Sequence, residues 1–325
     1  MIGHSSISRH VDPPPRSGPA AARAEAGVRT RLKALVIGAS GLVGGHLVRI
    51  LSASWRMPVL GTCFSAPGGG LARLDYCNAA AVNRLIDGAR PEVIFCPAAQ
   101  PNVEWCESHP AESYQVNVLG TQNVAAACKR KDTVLVYFSS DYVFDGESGP
   151  YDEQARPNPI NVYGRHKLAA EEAVRSLLPQ HHIIVRTTVV YGWEPSGKNY
   201  VARLVRNLRE GKPWRAPRDQ IGSPTPVVCL AEAAGELAER RLFGTWHIAG
   251  PERMSRYEFA CLAARTFKFD SGLIEPVNTD ALQQKAPRPL RAGMTIAKAA
   301  GALRTRLLAP AEGLRMMRDD PVSSI

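Results

Sequence analysis

From residue 32 onward, short apolar runs alternate with segments whose apolar positions recur at helical spacing. LKALVIG (32–38), PVLGTC (58–63), PEVIFC (91–96), TVLVYFSS (133–140) and HIIVRTTVVY (182–191) read as buried strands. Between them, helices are predicted near 42–53, 79–88, 111–130 and 159–177. Strands buried on both faces and separated by helices specify a parallel sheet with helices on both sides. After Gly192 Pro and Gly become frequent, and helices are predicted near 198–210, 227–240 and 255–267, with GTWHIAG (244–250) as one strand of a smaller lobe. The expected architecture is α/β: a Rossmann-type doubly wound parallel sheet over 31–191, with a smaller C-terminal substrate lobe over 192–325 and some segments returning to the sheet. Residues 1–30, with Pro13, Pro14, Pro15 and Pro19 and almost no aliphatic pattern, are expected to be a disordered extension.

Composition narrows the function classes. The chain has 325 residues, 45% of them hydrophobic, with no uninterrupted apolar stretch long enough to span a bilayer. The net charge of +10 invites a nucleic-acid reading, but residues 1–33 and 286–325 each carry about +4, leaving about +2 for the rest. Without basic residues clustered on one face with interleaved aromatics, no nucleic-acid partner and no membrane partner is expected. Seven scattered cysteines without a CxxC pair fit a reducing, cytoplasmic compartment, not a disulfide framework. His181 and His182 lack a third ligand at suitable spacing, so no metal site is expected.

Directly after the first strand stands Gly38-Ala39-Ser40-Gly41-Leu42-Val43-Gly44, opening a predicted helix. Glycines let the backbone turn sharply and approach a pyrophosphate, and the helix start directs free N–H groups at it. That context predicts a dinucleotide cofactor, with Gly38, Ser40, Gly41, Leu42, Val43 and Gly44 around its phosphates. A site for NAD commonly places an acid at the end of strand two, on the ribose 2′-OH. Here that strand ends in Thr62-Cys63-Phe64-Ser65, and no Asp or Glu occurs between Glu25 and Asp75. Nothing there repels a 2′-phosphate, so NADP(H) is favoured with NAD(H) still open. Phe64 is expected on the adenine and Ser65 on the 2′-phosphate.

Tyr163-Gly164-Arg165-His166-Lys167 lies on a predicted helix, where positions four apart share a face. A cation beside a phenol is expected to lower its pKa toward the working range. Ser139-Ser140-Asp141 ends the fourth strand, where open α/β sheets bind ligands. Ser140, Tyr163 and Lys167 are thus the candidate catalytic set: hydroxyl donor, proton donor and cation.

These segments resemble the extended short-chain dehydrogenases/reductases, within them the dTDP-4-dehydrorhamnose reductase-like family. The likeness is carried by GASGLVGGHL (38–47), AAQPNVEWCE (98–107), NVLGTQN (117–123), SSDYVFDG (139–146), NVYGRHKLAAEE (161–172), RTTVVYG (186–192), DQIGSPTPV (219–227) and RPL (288–290). SSDYVFDG is the most specific. The resemblance implies that Tyr163 is the acid and that Lys167 holds the nicotinamide ribose. Asn117 matches a structural asparagine, Ala98 and Ala99 would lie along the cofactor, and Asp75 near the adenine. Val103, Glu104, Ser140, Asp141 and Tyr142 would border the sugar. Val189 stands where the family often has Trp, next to the substrate, and Trp105 and Cys106 also depart from it.

The implied activity is NADPH-dependent reduction of a 4-keto-6-deoxy sugar nucleotide, the sugar nucleotide being the expected partner, with a homodimer left open. Two alternatives remain. One is a non-catalytic NADP-binding regulatory subunit, because 244–267 is similar to the regulatory β subunit of methionine adenosyltransferase. The other is a nucleotide-sugar epimerase or dehydratase.

Overall fold

The computed structural model describes Met1 and residues 33–53, 55–65 and 69–320, so the expected N-terminal extension lies outside the described residues but for Met1. The first half contains β1 (Ala34–Ile37), α1 (Leu42–Ala53), β2 (Val59–Cys63), β3 (Ala72–Arg73), α2 (Ala79–Ala89) and β4 (Val93–Cys96). It continues with α3 (Val103–Ser108), α4 (Pro110–Tyr114), α5 (Gly120–Lys131), β5 (Val134–Ser140), α6 (Val162–Leu177) and β6 (His182–Thr187). The second half adds β7 (Val190–Tyr191), α7 (Tyr200–Arg209), β8 (Trp214–Pro217), β9 (Ile221–Gly222), β10 (Thr225–Pro226) and α8 (Val227–Glu239). Then follow β11 (Gly244–His247), β12 (Met254–Ser255), α9 (Arg256–Thr266), β13 (Ile274–Val277), α10 (Ala297–Ala302) and α11 (Pro310–Asp319).

Seven strands form one sheet in the order β11-β6-β5-β4-β1-β2-β3. Every neighbouring pair in it is parallel. Alternation along each strand sends side chains to opposite faces. Ala34 and Val36 join the core under α1 and α8, with Leu47, Leu51, Leu230 and Leu237. Leu35 and Ile37 join the core under α2, α5 and α6, with Val82, Val124 and Val174. A third cluster gathers Val201, Leu204, Phe259 and Leu314 from α7, α9 and α11. The strand order reverses between β1 and β4, which opens the crevice where doubly wound sheets take ligands.

Four details depart from the pattern read in the sequence. GTWHIAG was expected in the smaller lobe; instead β11 extends the main sheet, pairing Gly244–His247 with Ile183–Arg186. The expected strand 182–191 breaks after Thr187, because Val189 takes a φ of 45° that no strand accommodates, and β7 pairs with β10 instead. The single helix expected over 111–130 is α4 and α5 joined by a π turn at Gln115–Leu119. The helix expected from Pro159 starts at Val162, because the Asn161 side chain caps it by accepting from the Gly164 N–H at 2.8 Å. Among the described residues no helix is long and apolar enough to cross a membrane.

Candidate functional site

The phosphate turn is set by steric limits. Gly38 has a φ of 92°, a region open to glycine. A Cβ at Gly44 would lie 2.1 Å from the Gly38 carbonyl oxygen, so helix and turn touch backbone to backbone. Gly41 differs: the nearest atom to a Cβ there is 3.6 Å away and its φ is ordinary. The protein's own packing leaves Gly41 free to be any small residue, so its bareness suits a ligand's close approach; the turn fits a pyrophosphate. Ala39 N–H donates to Thr62 O at 2.7 Å and Ala98 N–H to Ile37 O at 3.1 Å, tying the turn to its neighbours. Ser40 is exposed; Leu42, Val43, Ala98 and Ala99 are half-buried. Phe64 keeps 64% of its surface exposed, with Ser65 exposed beside it. Asp75 is exposed as well, its carboxylate accepting from the Cys77 N–H at 3.0 Å.

Ser140, Tyr163 and Lys167 are all buried where β5 ends and α6 begins. Two anchors fix the start of α6. Glu107 accepts from the Val162 N–H at 2.9 Å, and Asn161 Nδ2 donates to Pro287 O at 2.8 Å. Gly164 lets this helix press against the Tyr142 carbonyl, which a Cβ would meet at 2.1 Å. Lys167 Nζ donates to Phe138 O at 2.6 Å and sits 4.5 Å above the Tyr137 ring. Burial pushes the Lys167 ammonium down to about 8, against the opposing pull of Cys96 and Glu171.

The expected lowering of the Tyr163 pKa is not what the fold produces. Burial drives it above its ordinary value, Cys106, Tyr142 and Asp141 add to that, and the Ser140 hydroxyl only partly offsets them. Desolvation of a phenolate outweighs a cation whose own charge is directed at a carbonyl. Tyr163 therefore holds its proton, the state a proton donor needs.

Behind this set, Asn117 is buried in the π turn, accepting from Gln100 N–H at 2.9 Å and donating to Ser113 Oγ at 3.2 Å. Glu171, one turn beyond Lys167, forms a two-pronged ion pair with the buried Arg186, at 2.9 and 2.7 Å.

Next to Ser140, an open cleft of about 260 Å³ is lined by Asp141, Tyr142, Thr188, Val189, Gln220, Arg256 and neighbours. Ser140 Oγ donates to Asp141 Oδ1 at 3.0 Å and Thr188 Oγ1 to Oδ2 at 2.6 Å. Burial still raises the Asp141 pKa despite those bonds. Of the five residues beyond Ser140 expected at the sugar, Asp141, Tyr142 and Val189 line this cleft. Val103 packs instead against Cys106, Val162 and Tyr163. Glu104 turns to the distant chain, accepting from Lys285 N–H at 2.8 Å and from Arg288 at 2.6 Å. Thr188, Gln220 and Arg256 were not singled out from the sequence; their approach depends on chain segments far apart.

The profile of the family described as RmlD substrate binding domain matches residues 32–320. The chain belongs to this RmlD-like family of extended short-chain dehydrogenases/reductases. By class it is an NAD(P)-dependent oxidoreductase. Methionine adenosyltransferase 2 subunit beta of Xenopus tropicalis is 35% identical over 265 residues, covering 79% of this chain and 78% of its own. The dTDP-4-keto-6-deoxy-D-glucose reductase of Streptomyces niveus is 33% identical over 258 residues, covering 78% and 85%. Among solved structures, dTDP-4-dehydrorhamnose reductase of Bacillus anthracis in complex with NADP superposes with a TM-score of 0.80 at 29% identity, covering 88% of this chain and 98% of that one.

Proposed function

We propose that this RmlD-like protein reduces the keto group of a 4-keto-6-deoxy nucleotide sugar with NADPH, Tyr163 giving the proton. The observation that carries the reading is that Ser140, Tyr163 and Lys167 are all buried where β5 ends and α6 begins, in a chain whose glycine turn is open at Gly41. Gly38 to Gly44 would hold the cofactor's phosphates, Phe64 and Ser65 its adenosine end, and Lys167 its ribose. When bound, a nicotinamide supplies hydride to the carbonyl carbon. Tyr163, kept protonated by burial, hydrogen-bonds the carbonyl oxygen and gives up its proton as negative charge develops there. Ser140 donates a second hydrogen bond to that oxygen, leaving Asp141 for the substrate's oxygen. Lys167, near a pKa of about 8, would supply the proton that restores Tyr163 after turnover.

NADPH preference rests on strand two ending without a carboxylate. The test is to follow NADPH oxidation against a panel of 4-keto nucleotide sugars. Tyr163→Phe should lower turnover about 10²–10⁴-fold while NADPH affinity stays within twofold. Unchanged turnover in that variant would refute the assignment.

A second reading has its own support: methionine adenosyltransferase 2 subunit beta is 35% identical over most of this chain. On that reading the same residues clamp NADP while a partner enzyme is regulated. Co-purification with an adenosyltransferase, combined with no turnover on any panel member, would decide for it.

A further inference from the structure

We propose that Arg256 is the anion anchor of the substrate cleft, taking the diphosphate of the nucleotide sugar. The inference rests on the nucleotide-sugar reading above and adds a specificity-determining residue to it. Arg256 is the first residue of α9, placed there by the Ser255–Glu258 capping box. A cation in the first turn of a helix opposes the helix dipole, so its position gains nothing from local structure. Nor does it gain from pairing: among the described residues no carboxylate lies within ion-pair distance of it. Its guanidinium rests 5.3 Å from the centre of the Tyr200 ring, a contact that aims it without neutralising it. It lines the cleft with Gln220, Asp141 and Tyr142, and its charge draws down both Asp141 and Tyr142.

The surroundings favour an anion at this end of the cleft. Arg253 donates to Ala292 O at 3.1 Å, and Ala292 itself lines the cleft. Pro289, also in the lining, lies beside Arg288, whose charge acts on Tyr142 as well. The acids nearby are otherwise engaged: Glu104 with Arg288 and Lys285, Asp219 with Thr279 at 3.0 Å, and Asp141 with Ser140 and Thr188. The diphosphate is the anionic part of the proposed substrate, and so the part that suits Arg256. Guanidinium presents paired donors to phosphate oxygens.

The experiment titrates the full chain, saturated with NADPH, with UDP and dTDP and with uridine and thymidine as uncharged controls. The wild type should bind at least one diphosphate more tightly than its nucleoside. Arg256→Met should weaken that diphosphate about tenfold or more, leave nucleoside binding unchanged, and make the remaining affinity less salt-sensitive. Arg256→Lys should recover part of the loss. With a turned-over substrate, the loss in Arg256→Met should fall on KM far more than on kcat. NADPH affinity and thermal midpoint, measured alongside, verify that the variant is folded. Equal diphosphate affinity in wild type and Arg256→Met overturns the anchor, as does a wild type that binds no diphosphate. A wild type that binds diphosphate through Arg256 yet reduces no sugar nucleotide would overturn the reductase reading while leaving the anchor standing.

Discussion

Around Gly38 the backbone packs so closely that one added methyl at Gly44 would come within 2.1 Å of a carbonyl oxygen. Beside the cleft lined by Asp141, Arg256 and Pro289, segments far apart in sequence are tied by side chains such as Glu104 and Arg288, 184 residues distant. The first region is fixed by repulsion at short range, which neither salt nor pH changes. The second is fixed by charge and hydrogen bonding, which both do. On the proposed reading, a cofactor common to many substrates would sit in the stiff region, and the groups that would choose the substrate in the adjustable one.

The largest effect expected from this contrast is at the stiff end. Gly44→Ala should cost about 3 kcal/mol or more of folding stability, because backbone on both sides must move. Gly41→Ala should leave stability unchanged and weaken cofactor binding instead. Urea midpoints and NADPH titrations of the two variants separate these outcomes, and equal stability of Gly44→Ala and wild type would break the steric account. Next comes the cofactor rim, where Ser65→Asp should shift preference toward NADH by about tenfold or more through repulsion of the 2′-phosphate. Fluorescence titration of both cofactors measures it; a wild type that binds NADH clearly more tightly would remove its premise.

The smallest effect belongs to the Glu104–Arg288 contact beside the cleft. Burial alone would raise the Glu104 pKa, but bonds from Lys285 and Arg288 hold it below its ordinary value of 4.5. A depressed carboxyl stabilises the fold fully above its unfolded pKa, and that contribution disappears as pH falls through the folded value. Glu104→Gln should therefore cost no more than about 1 kcal/mol at neutral pH, less in high salt. The difference from wild type should vanish in acid melts well below pH 4.5. A deficit that persists there would mean that packing, not charge, joins these two segments.

What could be read from the sequence follows the same division. β1, α1 and the glycine turn are local patterns, and the structure places them within a residue or two of expectation. Ser140, Tyr163 and Lys167 were legible because strand ends and helix spacing bring them together. The sign of the Tyr163 shift was not, since burial is a property of the whole fold and outweighs a neighbour four residues away. Val189 ends β6 by an unusual backbone angle that its residue type disfavours, so no propensity announces it. Arg256 and Glu104 owe their surroundings to segments that only the finished fold assembles.

The π turn at Gln115–Leu119 has a consequence for how this stretch of chain can vary. An ordinary helix advances about 100° per residue, and a π turn holds roughly one residue more, so the side-chain stripes on either side are out of phase. α4 can thus turn Ser113 toward His166, at 2.9 Å, while α5 keeps Val124 and Cys128 on the sheet. Removing one residue from the turn would leave a smoother and more regular helix, and a worse one. Its two stripes would fall into step, and Ser113 would rotate away from both His166 and Asn117. In this segment regularity and fitness for the site are opposed, and a single inserted residue keeps them apart.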